Sequence, residues 1–164
     1  MSADRWRVGV GADDAGLEYK NAILSDLRAD ARVEFVEDFG VRSGEKTPYP
    51  RIGLAVAEAV AAGRLDRGVL ICGTGIGMAI SANKVGGVRA TTVHDSYSCE
   101  RSVLSNDCQI ITFGQRVVGL ELARRLVREW LGYVFDPSSP SRDKVGVISD
   151  YERRTGAPRM ETRR

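Results

Sequence analysis

The sequence predicts an α/β protein: a parallel sheet of five strands with helices on both faces. Three observations predict it. Short apolar runs alternate with amphipathic stretches along the whole chain, which is the pattern of linked βαβ units. The run Gly68–Cys72 (GVLIC) is apolar throughout, as a strand buried on both faces must be. The 164 residues are one domain's worth of chain, enough to bury roughly 70% of the unfolded surface without a disulfide or metal staple.

The elements follow in order. Trp6–Gly11 reads as the first strand, and Gly16–Ala29 as a helix with Ile23, Leu24 and Leu27 on one face. Arg32–Asp38 is the second strand. Gly40–Pro50, punctuated by Gly44, Pro48 and Pro50, reads as a loop. Ile52, Ala55, Val56, Ala59 and Val60 fit helical spacing, closed by Gly63. Gly68–Cys72 is the third strand and is followed by Gly73-Thr-Gly-Ile-Gly77 and a helix-like MAISANK. Val88–Val93 is the fourth strand, Ser96–Ser105 a short helix and Gln109–Phe113 the fifth strand. A long amphipathic helix runs from about Gly119 through Trp130 and Leu131, and a last one from about Arg142 to Arg154.

Composition excludes several classes. No apolar run approaches the ~18 residues of a membrane span, and the first residues, MSADRWRVGVG, hold no apolar signal core. Three cysteines and one histidine at no ligand-like spacing point away from a zinc site or a disulfide framework and toward a reduced, cytoplasmic protein. The net charge of +2 is uneven: residues 151–164 carry five arginines against two glutamates, which leaves residues 1–150 at −1. A body without net positive charge is not that of a nucleic-acid binder. The stretch 156–164 reads as a basic tail after a domain of 1–155, most simply a solvated end.

Ligands on such sheets bind beyond the carboxyl ends of the strands, where strand order reverses. Three polar, glycine-rich segments fall at strand ends: Gly11–Gly16, Cys72–Gly77 and His94–Ser98. Glycines at 73, 75 and 77 let the backbone turn tightly and present successive N–H groups to an anion, with the next helix's N-terminus adding positive potential. This suits a phosphate or a developing oxyanion; the plainer reading is a tight strand–helix turn. Walker and dinucleotide fingerprints are both absent. Cys72 at the strand end is either a nucleophile or base with a stabilised thiolate, or one more buried small residue. Cys99 and Cys108 read as core. Asp13 and Asp14 after the first strand suit hydroxyl binding or proton transfer, or one of them caps the next helix. His94-Asp95 reads as a helix-capping Asp beside a lone His rather than a catalytic pair.

Three segments, GADDAGLEYK, CGTGIGMAISANKVGGVRA and HDSYSCERSVLSNDCQIITFGQRVVG, closely resemble the ribose-5-phosphate isomerase B family, which includes galactose-6-phosphate isomerase subunits. The resemblance spans about residues 7–155. It implies a Rossmann-like three-layer sandwich, a homodimer or tetramer with active sites shared between subunits, no cofactor and no metal. It implies isomerisation of a phosphorylated aldose to its ketose through an enediolate. Carried over residue by residue, Cys72 is the carbon base, and the N–H groups of Gly73, Gly75 and Gly77 hold the enediolate oxygen. Thr74 helps move a proton between O1 and O2. Asp13 binds sugar hydroxyls, Tyr49 lines the pocket, Asn106 reaches the sugar from the partner subunit and Arg116 binds phosphate.

The departures from the family pattern concern the substrate. Ribose-specific members carry a histidine where this chain has Asp14 and another where it has Ser105; those histidines are associated with opening the furanose ring and with the phosphate. Two further phosphate arginines align with Pro140 and Lys144, with Arg142 nearby as a substitute. Ribose 5-phosphate closes a ring through its free O4. A four-carbon 4-phosphate has that oxygen esterified, stays open-chain and needs no ring-opening histidine. HDSYSCER…LSND also looks like the erythrulose-4-phosphate isomerase branch of the family. The expectation is therefore a tetrulose 4-phosphate, with ribose 5-phosphate and a repositioned His94 as the alternative, and a non-catalytic phosphosugar-binding module as the rival class.

Overall fold

The computed structural model describes residues 5–156. Five strands form one parallel sheet in the order β2-β1-β3-β5-β4, from β1 (Trp6–Ala12), β2 (Val33–Asp38), β3 (Arg67–Cys72), β4 (Ala90–Thr92) and β5 (Ile110–Gly114). Between and after them run α1 (Leu17–Ala29), α2 (Tyr49–Ala61), α3 (Ile76–Ala82), α4 (Ser96–Leu104), α5 (Leu120–Trp130) and α6 (Ser141–Thr155).

The period-2 alternation of side chains in β3 divides the core. Val69 and Ile71 face one layer, where Ile23 and Leu27 of α1, Cys99 and Val103 of α4, and Leu126 and Trp130 of α5 pack. Leu70 and Cys72 face the other, with Ile52 and Val56 of α2 and Met78 and Ala82 of α3. Each fully buried aliphatic side chain contributes about 1.5–3 kcal/mol relative to exposure. Lys20, 1% exposed, spends its charge on both carboxylate oxygens of Asp38 at 2.8 and 2.9 Å, tying α1 to the end of β2.

The expected three-layer sandwich is present, with boundary differences that have local causes. The stretch Gly40–Pro50 is a loop only as far as Pro48: α2 begins at Tyr49, with Pro48 in the N-cap position. A proline in the first turn forfeits no hydrogen bond, because that N–H has no helical partner anyway. The fourth strand spans three residues rather than Val88–Val93, because it lies at the sheet edge and pairs only with β5.

The chain turns from β1 to β2 on one side and to β3 on the other. The crevice beyond the carboxyl ends of β1 and β3 is therefore the switch point of the sheet. No helix among the described residues is long and apolar enough to cross a membrane. Of the basic stretch 151–164, Arg153 and Arg154 belong to α6, and of the expected tail 156–164, residues 157–164 lie outside the described residues.

Candidate active site

A cleft of about 560 Å³ opens at that switch point, lined by Asp13 and Asp14 after β1, Tyr49 of α2, Cys72, Gly73, Thr74 and Gly77 around the end of β3, and Arg116 after β5. Four separate βα turns thus deliver their polar residues to one place.

Cys72 is the last residue of β3 and is 5% exposed. Its Sγ accepts the backbone N–H of Gly75 at 3.1 Å. That bond requires the chain to reverse within three residues, which Gly75 allows by taking φ +79°. A side chain at Gly75 would also meet the backbone of Phe113 at 2.8 Å. Gly114, opposite Cys72 in the β3–β5 pairing, has no side chain for a related reason: a Cβ there would stand 2.6 Å from the backbone of Thr74. The carbonyls at the start of the turn are held by the segment that follows β5. Cys72 O accepts from Gln115 N at 2.9 Å and Gly73 O from Arg116 N at 3.1 Å.

The remaining groups surround the sulfur. The Arg116 guanidinium lies beside Gly73, and the Tyr49 ring lies directly over Gly77. Thr74 is exposed at the mouth. Asp13 has a buried carboxylate oxygen, Oδ1, with no partner in the protein. Burial, together with the adjacent Asp14 charge, pushes this carboxyl above its usual range, against the pull of the Ala15 and Gly16 N–H groups and Arg116. An unpartnered buried acceptor facing a cleft is costly unless a ligand donates to it.

Of the two alternatives for Asp13 and Asp14, Asp13 stands at the N-cap position of the 3₁₀ turn, but its side chain makes no capping bond there. Neither helix start, the 3₁₀ turn Asp14–Gly16 or α1, carries a side-chain capping bond. Asp95 does cap: its Oδ1 accepts the Ser98 N–H at 2.7 Å. His94 is exposed and lies outside the cleft lining. Cys99 and Cys108 are buried, and burial pushes their thiols up to about 12 and about 11, which fits a core role.

Three expected residues do not reach the cleft within one chain. Asn106 lines a different cavity, with Arg101 and Ile148 near the β4 edge. Arg142 and Lys144 are exposed on α6 and are not among the cleft's lining residues. Sequence reasoning missed Thr112, whose hydroxyl donates to Gly75 O at 2.8 Å beneath the turn. The signal was available: Thr112 is the one hydroxyl in the apolar run IITFG, and a buried hydroxyl needs a partner.

The Ribose/Galactose Isomerase family profile matches residues 8–148. A curated relative from Mycolicibacterium smegmatis, D-erythrulose-4-phosphate isomerase 2, is 56% identical over 147 residues, covering 89% of this chain and 97% of that one. Ribose-5-P isomerase B of Listeria innocua is 43% identical over 148 residues, covering 90% and 98%. The solved structure of Clostridium thermocellum ribose-5-phosphate isomerase B superposes with a TM-score of 0.84 at 41% identity, over 90% of this chain and 98% of that one.

Proposed function

The chain belongs to the ribose/galactose isomerase family and is a sugar-phosphate isomerase, and on that premise we propose that it interconverts a tetrose and a tetrulose (erythrulose) 4-phosphate without a metal, with Cys72 as the carbon base. The Cys72 thiolate takes the C2 proton of the open-chain aldose. The electron pair of that C–H bond becomes the C1–C2 double bond, and charge passes to the carbonyl oxygen, O1. The N–H groups of Gly73 and Gly77 meet that oxygen, as fixed donors aimed at developing charge do, whereas the expected Gly75 N–H is already given to the Cys72 sulfur. Thr74 relays a proton from O2 to O1. The enediolate then collapses to a C2 carbonyl as C1 takes the proton back from the thiol.

Asp13 accepts a sugar hydroxyl at its unpartnered oxygen, Asp14 and Tyr49 shape the wall, and Arg116 meets the phosphate. Asn106, Arg142 and Lys144 act from a partner subunit in a homodimer. Apolar side chains left exposed on one chain support that assembly: Val147 is 68% exposed and Tyr151 57%, both on α6, and Ile76 beside the cleft is 56% exposed.

The observation that carries the four-carbon reading is the place of the chain's one histidine. His94 is outside the cleft, so the residues that line the cleft within one chain include no imidazole to open a furanose. The similarity to the Mycolicibacterium D-erythrulose-4-phosphate isomerase 2 supports the same substrate class. The deciding experiment is turnover on both enantiomers of erythrulose 4-phosphate and on ribose 5-phosphate, with EDTA present and absent. Turnover of a tetrulose phosphate that EDTA leaves intact is expected; preferred turnover of ribose 5-phosphate would overturn the substrate reading.

Shared sites have their own test. Mixing Cys72→Ala with Asn106→Ala under subunit exchange should restore about a quarter of wild-type turnover, since a hybrid dimer keeps one intact site. No recovery on mixing would place Asn106 outside the partner's site. Residues 1–155 carry the activity, so deleting 156–164 leaves turnover unchanged.

A further inference from the structure

We propose that Thr112, backed by Thr92, is a positioning residue that aims the Gly75 N–H at the Cys72 sulfur. The inference rests on the reading of Cys72 as the base. Thr112 is fully buried in β5, and its hydroxyl has one proton. That proton goes to Gly75 O at 2.8 Å, because a carbonyl can only accept. The Thr92 hydroxyl, 2.9 Å from Thr112 Oγ1, must therefore donate to Thr112. The chain of bonds runs Thr92, Thr112, Gly75, Cys72.

The need for such a tie follows from the glycine. The Gly75 N–H and C=O belong to two peptide planes joined by the two softest torsions in the turn. Holding the carbonyl restricts those torsions, and so the direction of the N–H that contacts the sulfur. The neighbouring carbonyls of Cys72 and Gly73 are held by backbone N–H groups, which no side-chain substitution short of proline removes. Gly75 O is held by the first turn of α3, through Ala79 N at 3.1 Å, and by the Thr112 side chain. The Ala79 bond keeps the carbonyl partnered when the hydroxyl is removed, so a Thr112→Val chain loses the aim of the loop and not its fold. An N–H donated to sulfur favours the thiolate, which is the reactive form.

The test compares wild type, Thr112→Val and Thr112→Ser. Two quantities are read: kcat and KM on the sugar phosphate, and the rate at which iodoacetamide alkylates Cys72 at neutral pH, followed by mass of the Cys72 peptide. Thr112→Val is expected to lower kcat and the alkylation rate by about three- to tenfold, the worth of one hydrogen bond, with KM unchanged. Thr112→Ser, which keeps the hydroxyl, is expected to restore both. Wild-type kcat and alkylation in Thr112→Val, or no rescue by Thr112→Ser, would overturn the proposal. If Thr112→Val is recovered unfolded, Thr92→Val decides: it removes the donor behind Thr112 while keeping the methyl that packs against Gly75, and should move both readouts in the same direction. The alkylation rate needs no substrate, so it judges Thr112 even if Cys72→Ala proves to retain turnover and the base assignment fails.

Discussion

The two ends of the same sheet are built on opposite principles. At the amino end, the charged groups of the strands are paired, although the Trp130 indole N–H there is buried without a partner. The Arg67 guanidinium lies 3.8 Å from the Trp6 ring and 4.7 Å from the Trp130 ring and donates to the carbonyls of Trp130 and Tyr133. Burial lowers its pKa to about 10, against the pull of Asp107 and Asp66. Arg7 and Asp66 pair at 2.7 Å, and Trp6 Nε1 donates to Leu131 O at 2.9 Å. At the carboxyl end, polar groups are left open: the Asp13 oxygen has no partner, Arg116 stands exposed beside glycine backbone, and a thiol faces an N–H. Saturated chemistry stabilises; unsaturated chemistry is available to a substrate.

Substitutions at the two ends should therefore separate cleanly. The largest effect is expected from Cys72→Ala, which should cut kcat by at least about 10²–10⁴, the usual worth of a positioned base, while the urea midpoint changes little. A Cys72→Ala enzyme with near wild-type kcat would break the contrast at its strongest point. Next comes Arg67→Met at the other end. The Trp130 carbonyl keeps the Tyr133 N–H, but the part-buried Tyr133 carbonyl loses its Arg67 donor, which should cost about 1–3 kcal/mol of stability, measured by denaturant unfolding, with kcat per folded molecule unchanged. Loss of turnover without loss of stability would show that the amino end is not merely structural.

The smallest effect sharpens the comparison most. Burial and Asp14 raise the Asp13 pKa above its unfolded value, so the folded protein binds this proton more tightly than the unfolded chain. Asp13 therefore costs stability above its folded pKa, and the cost is relieved as pH falls through the carboxylate range. Asp13→Asn should raise the unfolding midpoint at pH 7, with the gain shrinking on acidification, while lowering kcat by about ten- to a hundredfold. Reduced stability at pH 7 in Asp13→Asn would mean that the carboxylate is satisfied in the native state after all.

How much of this was legible beforehand depended on the range of the interaction. β3 was readable because five apolar residues in a row can only be a strand covered on both sides, and all six residues of β3 are indeed buried. The Gly73–Gly77 turn was readable because alternate glycines next to a buried strand have a local conformational meaning. The capping role of Asp95 was readable for the same reason. Asp13 was legible only as a choice between a cap and a ligand-binding acid, since its local sequence fits either use: it stands at the N-cap position of the 3₁₀ turn without a side-chain capping bond, and lines the cleft. Thr112 was not singled out, because its partner is 37 residues away.

The sequence by itself determined which segments are strands and helices, that the sheet is parallel, and which residue types stand at the strand ends. Those are consequences of periodicity, turn chemistry and short-range sterics, all of which act within a few residues. The tertiary structure alone decided that Asp13, Tyr49, Cys72 and Arg116 share one cleft while Asn106 and His94 do not, that one Asp13 oxygen is left without a partner, and that a buried hydroxyl on β5 steadies the turn beneath the thiol. Strand order is set by packing the whole chain at once, and proximity, burial and hydrogen-bond satisfaction exist only after that packing is complete.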